Sequence, residues 1–148
     1  MHKLLLVSAI ALLAAAPAQA KTHAAALKWM DGPPGLPSGG KFAVVSGDPG
    51  KAGAFTIQLK VPANYAVPAH HHPTDEHVTV LSGHTNYGMS DKLDKAKAKT
   101  LSAGHSVVMK AGMNHWVFTR GSGATLQIKG TGPFQIVYVD PKDDPRTK

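Results

Sequence analysis

The sequence predicts an all-β fold, a sandwich or barrel, on three observations. Apolar and polar residues alternate at period two, with Phe55, Ile57, Leu59 and Val61 set against Thr56, Gln58 and Lys60. In a strand that alternation puts the first set on one buried face. Similar short runs recur down the chain, separated by glycine-rich turn signals. Only Ser90–Thr100 has a helical option, and its Lys92, Lys95, Lys97 and Lys99 favour a solvated loop or one exposed turn.

In chain order, residues 1–20 have the make-up of a cleaved signal peptide. A basic start (Met1-His-Lys) leads into Leu4–Ala16, which is uncharged, and Ala18-Gln19-Ala20 is a small-x-small cleavage pattern. Thirteen apolar residues fall short of the roughly 20 that a membrane span needs. A periplasmic or secreted protein, with no membrane attachment after cleavage, is therefore expected. Residues 21–40 form an approach segment, where Leu27, Trp29 and Met30 suit a lid or edge strand and 31–40 is turn chemistry. Residues 41–140 hold the alternating runs. After Phe42–Val45 and Phe55–Val61 these are Glu76–Leu81, Thr85–Met89, Ser106–Lys110, His115–Thr119, Ala124–Lys129 and Phe134–Val139. Ser82-Gly83, Ala103-Gly104, Ala111-Gly112, Gly121–Gly123 and Gly130–Pro133 mark the turns. The tail, 141–148, is polar and reads as loose.

The 148 residues fit one domain. With no cysteine, thiolate metal sites, cysteine nucleophiles and disulfides are excluded. The formal charge of +7 invites a nucleic-acid reading. Export and the scatter of lysines over loops and termini argue against it, so no nucleic-acid partner is expected.

The chemistry concentrates in Pro68–Gly83, where His70, His71, His72, Asp75, Glu76 and His77 crowd together. Residues two apart in a strand share a face, so His70 and His72 aim together and His71 aims away. Pro73-Thr-Asp reads as a turn. If the returning strand buries Val78 and Val80, Glu76 points inward with them and His77 outward. A lone inward carboxylate is costly, and two imidazoles with a divalent cation would satisfy it. An exposed, merely histidine-rich loop is the plainer alternative.

A second stretch, Gly104–His115, answers the first. Together the two resemble the paired motifs of the cupin superfamily. His70-x-His72-x3-Glu76-x6-Gly83 fits the first motif, with Asn64 where the family has its leading glycine. Gly104-x5-Lys110-x-Gly112-x2-His115 fits the second, with Lys110 in place of proline and Thr119 in place of asparagine. The resemblance implies a double-stranded β-helix (cupin, or jelly-roll) barrel with a metal at its mouth, held by His70, His72, Glu76 and His115. One divalent transition metal is expected, Mn, Fe, Zn, Cu or Ni. Its ligands must shed protons to bind, so binding should weaken below roughly pH 6.

Two functions follow. One is a metal-dependent enzyme, oxygenase- or isomerase-like, acting on a small organic molecule. The other is a non-catalytic module that binds or senses a ligand or metal. No catalytic residue beyond the ligand set is assigned. His71, His77, His84 and His105 are expected at the surface or behind the ligands. Tyr87, Met89, Met109 and Met113 are expected in the core, with Tyr87 or Arg120 as candidates to orient a substrate. Trp116 and Phe118, opposite His115, should pack outside the barrel against the N-terminal segment or a second subunit. The resemblance also implies a homodimer through Leu27–Met30.

Overall fold

The structure, a computed structural model, describes residues 26–148; the expected signal peptide, 1–20, lies outside them. Ten strands are formed: β1 (Met30–Asp31), β2 (Lys41–Ser46), β3 (Gly53–Val61), β4 (Ala66–His71), β5 (Glu76–Gly88), β6 (Lys99–Ser102), β7 (Ser106–Met109), β8 (His115–Phe118), β9 (Ala124–Gly132) and β10 (Val137–Tyr138). Their pairing order is β1-β2-β3-β9-β5-β8-β4-β10, with β6 and β7 also on β5. Every pairing is antiparallel, and the curled sheet is a cupin-like double-stranded β-helix. Among the described residues no helix is long and apolar enough to cross a membrane.

β5 joins the two halves of the barrel. Its first half pairs with β9 and β7, and its second with β8 and β6. Ser82-Gly83, expected as a turn between two strands, lies instead within one strand, just past a bulge at Leu81. Gly83 takes φ 74° there, a left-handed conformation that glycine adopts without strain. A bulge bends a strand and increases its twist, which lets one strand serve both sheets.

The core is filled from both sheets by alternating residues, including Phe55, Ile57, Leu59, Val78, Val80, Leu126 and Ile128. The approach segment crosses one end of this core. β1 is an edge strand on β2, and Leu36 packs onto the core. Two phenols clasp the turn region: Tyr65 donates to the Pro37 carbonyl at 2.6 Å and Tyr138 to that of Gly35 at 2.9 Å. The tail, expected to be loose, makes two 3-10 turns, Pro141–Asp143 and Pro145–Thr147. Arg146 ties it down through Asp144 and the Ile136 carbonyl.

Two other expectations fail. Met109 is 1% exposed, but Met89 and Met113 are 39% and 43% exposed and lie outside the core. Trp116 and Phe118 do pack outside the barrel, but their cover is the lysine-rich segment after β5. Leu93 and Ala98 pack on them, and Ser90 accepts the indole N–H at 2.9 Å. Neither the N-terminal segment nor a second subunit is needed to bury them.

Candidate metal centre

β4 lies between β8 and β10, in a register that sets His70 opposite His115 on one side and Tyr138 on the other. A bulge between Val67 and His70 brings the two histidines level. Beyond the strand end His72 keeps the face of His70. His71 turns away, half-buried, with its Nδ1 3.0 Å from the Asn114 side-chain oxygen. Glu76 opens β5 opposite Met109, and Val78 and Val80 follow it inward. The face argument from the sequence is thus met: His70, His72 and Glu76 point in, and His77 is exposed.

The two sequence stretches are tied directly. The Gly112 N–H donates to the His72 carbonyl at 2.9 Å. The Asp75 carboxylate accepts from the Ala111 N–H at 2.9 Å and from Lys110 Nζ at 2.8 Å, so the lysine standing in for proline makes a bond of its own. Asn64, standing in for the leading glycine, has φ 57°, a left-handed value that asparagine tolerates better than most residues. Thr119, standing in for asparagine, donates to the Pro62 carbonyl at 2.6 Å and accepts from the Tyr65 N–H at 3.0 Å. All three departures sit at turns or braces and none at a histidine.

One ring nitrogen from each of His70, His72 and His115 lies within 4.8 Å of the others. Each Nδ1 faces a backbone carbonyl: Pro68 at 2.7 Å, Gln135 at 2.6 Å and Met113 at 2.9 Å respectively. A carbonyl only accepts, so each Nδ1 carries the proton and each Nε2 keeps its lone pair. The same arrangement orients histidines on metals. Glu76 Oε2 stands 3.4 Å from Nε2 of both His72 and His115. Those two Nε2 atoms are buried and make no hydrogen bond, and such groups call for a partner. The cluster fits a divalent metal on this ground and on its donors, imidazole nitrogens beside a carboxylate.

The electrostatics agree. Burial would raise the Glu76 pKa, but the facing His115 and His72 outweigh it and hold the carboxyl well below its usual range. His70 is pushed down to about 3, first by burial and then by repulsion from His115 and His72. It is therefore a neutral imidazole at physiological pH. Burial works against a charge on His72, but Glu76 more than offsets it and the pKa rises.

The cluster forms one end of a cavity of about 250 Å³ inside the barrel. Pro33, Gly50 and Phe134 are among the residues that line it, and most of the lining is hydrocarbon. Phe134 opens the run Phe134–Val139, but nothing in that alternation points to its stacking on His72, at 4.6 Å and 19°; Tyr65 lies in a turn-rich segment without a period. Neither Tyr87 nor Arg120 lines the cavity. Tyr87 packs against the core, and Arg120 lies over Phe118. His84 is half-buried and His105 exposed, away from the cluster.

The family model described as the ChrR cupin-like domain matches residues 17–116. Among solved structures, the polyketide cyclase RemF from Streptomyces resistomycificus is similar, with TM-score 0.68 and 18% identity over 86% of this chain and 89% of that one. DMSP lyase DddQ from Ruegeria pomeroyi DSS-3 gives 0.60 and 19%, over 76% of this chain and 60% of that one. KdgF from Halomonas sp. gives 0.53 and 15%, over 70% and 84%. At these identities the likeness shows the fold. No curated protein sequence matches the chain.

Proposed function

Starting from a chain that belongs to the cupin superfamily, in the family of ChrR cupin-like domains, we propose that it binds one divalent transition metal and a small organic molecule beside it. His70, His72, His115 and Glu76 are the ligands, and the cavity receives the organic molecule. The single observation that carries the reading is the pair of buried, unbonded Nε2 atoms of His72 and His115, facing a shared carboxylate at the end of a cavity. A metal bound there would supply Lewis acidity toward an oxygen of the ligand. The protein's own residues hold the imidazoles in the Nδ1–H form, supply the Glu76 negative charge, and exclude water with a mostly hydrocarbon lining. The exported protein acquires its metal outside the cytoplasm. On this reading it is an enzyme of oxygenase- or isomerase-like chemistry.

Elemental analysis of purified protein should give about one metal per chain, and His72→Ala should lose it. Finding no metal after refolding with each of Mn, Fe, Ni, Cu and Zn would sink the reading.

One observation favours the non-catalytic alternative, a module that binds its ligand without turnover. Apart from His70, His72 and Glu76, the only ionisable group lining the cavity among the described residues is Tyr65, whose phenol already donates to Pro37. No separate acid or base is ready to move a proton. Turnover of any substrate in an oxygenase and isomerase panel, lost in His72→Ala, decides for the enzyme.

A further inference from the structure

We propose that the cavity selects a neutral, ring-bearing organic molecule of up to two fused rings, which presents an oxygen to the histidine cluster, and that it discriminates against carboxylates and sugars. The destination of the oxygen rests on the metal reading; the choice of ligand class rests on the cavity.

The walls decide the class. Among the described residues no lysine or arginine lines the cavity, in a chain that carries 16 such residues. A carboxylate ligand would thus find no cation beyond the cluster. The hydroxyls that line it have already given their protons to backbone carbonyls. Tyr65 donates to Pro37 O at 2.6 Å, Thr85 Oγ1 to Phe118 O at 3.2 Å and Thr119 Oγ1 to Pro62 O at 2.6 Å. The Gly50 N–H is taken by Asp48. A sugar has several hydroxyls to satisfy, and burying them unmatched is strongly unfavourable. Most of the remaining lining is hydrocarbon, with Ile57, Leu59, Val78, Leu126 and Ile128 among it. The histidine end is the one place where a polar atom is welcome. A molecule must therefore enter with its hydrocarbon part against these walls and its oxygen toward His70, His72 and Glu76.

Size narrows the choice. A dry cavity of about 150 Å³ lined by similar side chains holds benzene, so about 250 Å³ has room for a second ring.

Isothermal titration of zinc-loaded protein with 1-naphthol, oxalate and galacturonate tests the class. 1-Naphthol should bind at least about tenfold more tightly than either acid, a margin of about 1.4 kcal/mol. Tighter binding of oxalate or galacturonate overturns the proposal. Leu126→Phe fills the wall on β9, a strand without histidine, and should weaken 1-naphthol at least about tenfold while zinc stoichiometry stays at one. Leu126→Met conserves volume and should bind 1-naphthol as the parent does. Equal 1-naphthol affinity in all three proteins places the ligand elsewhere and overturns the proposal. If Leu126→Phe fails to fold, the parent's three-ligand ranking decides alone. The two readings fail separately. Zinc uptake without 1-naphthol binding refutes the ligand class and leaves the metal centre. 1-Naphthol binding by protein that takes up none of Mn, Fe, Ni, Cu and Zn refutes the metal centre and supports the class.

Discussion

β8 buries both of its faces, and by different means. His115, on the inward face, is 0% exposed because the barrel closes around it; Trp116, the next residue and on the outward face, is 1% exposed. The inward side chain sits among polar partners, held by the Met113 carbonyl and facing Glu76. The outward one is sealed by a loop, with Leu93 and Ala98 against it and the Lys95 ammonium 5.4 Å from the neighbouring Phe118 ring centre. Strand periodicity fixes which way a side chain points. It says nothing about what lies over the outward face. Here that cover is a segment whose lysines resemble a solvated loop, but long cationic side chains lay apolar stems and aromatic-facing ammonium groups over hydrophobic surface.

Breaking the inward face should have the largest effect, and on metal rather than on folding. His115→Ala removes a donor outright. Losing only a hydrogen-bond partner of a ligand costs about 10–100-fold in affinity, so this variant should lose more than about 100-fold for zinc in titration calorimetry. The rise in melting temperature that zinc gives the parent should vanish with it. Undiminished zinc affinity would make His115 a packing residue and remove the contrast between the two faces.

Breaking the outward face should do the reverse. Trp116→Ala deletes a fully buried indole, and such truncations cost about 3–5 kcal/mol, measurable by urea unfolding. The folded fraction should still bind one zinc per chain. Loss of zinc together with stability would mean that the loop and the metal centre form one unit. Gly88 gives a smaller, more local probe. It lies across from Trp116 in the β5–β8 pairing, and a Cβ there would stand 2.1 Å from the indole Cζ2 atom. Gly88→Ala should cost about 1–3 kcal/mol by overpacking. Most of that should disappear when Trp116 is already alanine, and a double-mutant cycle reads the difference.

The same contrast accounts for how much of the molecule was legible in the sequence. The inward set could be read because period two in Glu76–Val80, a buried carboxylate in need of a cation, and the resemblance to the paired cupin motifs, which brought in His115, all agreed. Ser82-Gly83 was misread as a turn because a glycine carried inside a bent strand and a glycine that ends one look alike locally. Which it is depends on whether β9 and β8 continue the pairing. Tyr65 had no local signature, and the alternation over Phe134–Val139 does not say what Tyr138 and Phe134 meet. Their roles arise from contacts with Pro37, Gly35 and His72, separated from them by 28, 103 and 62 positions. Leu93 and Ala98 were hidden between lysines, in a segment where no periodicity links them to Trp116.

The weakest joint in the outer seal tests how that loop holds. Ser90 Oγ accepts the indole N–H of Trp116 and donates to the Lys92 carbonyl at 2.9 Å each, so one hydroxyl links the ring to the turn of the loop. A buried indole N–H left without a partner would cost about 1–3 kcal/mol. Ser90 itself is exposed, however, and water can enter where its hydroxyl was and accept the same proton. Ser90→Ala should therefore cost less, about 0.5–1 kcal/mol in urea unfolding, with faster amide exchange confined to residues 90–98. A loss above about 2 kcal/mol would show that water does not reach the indole and that the loop shuts as tightly over Trp116 as the barrel does around His115.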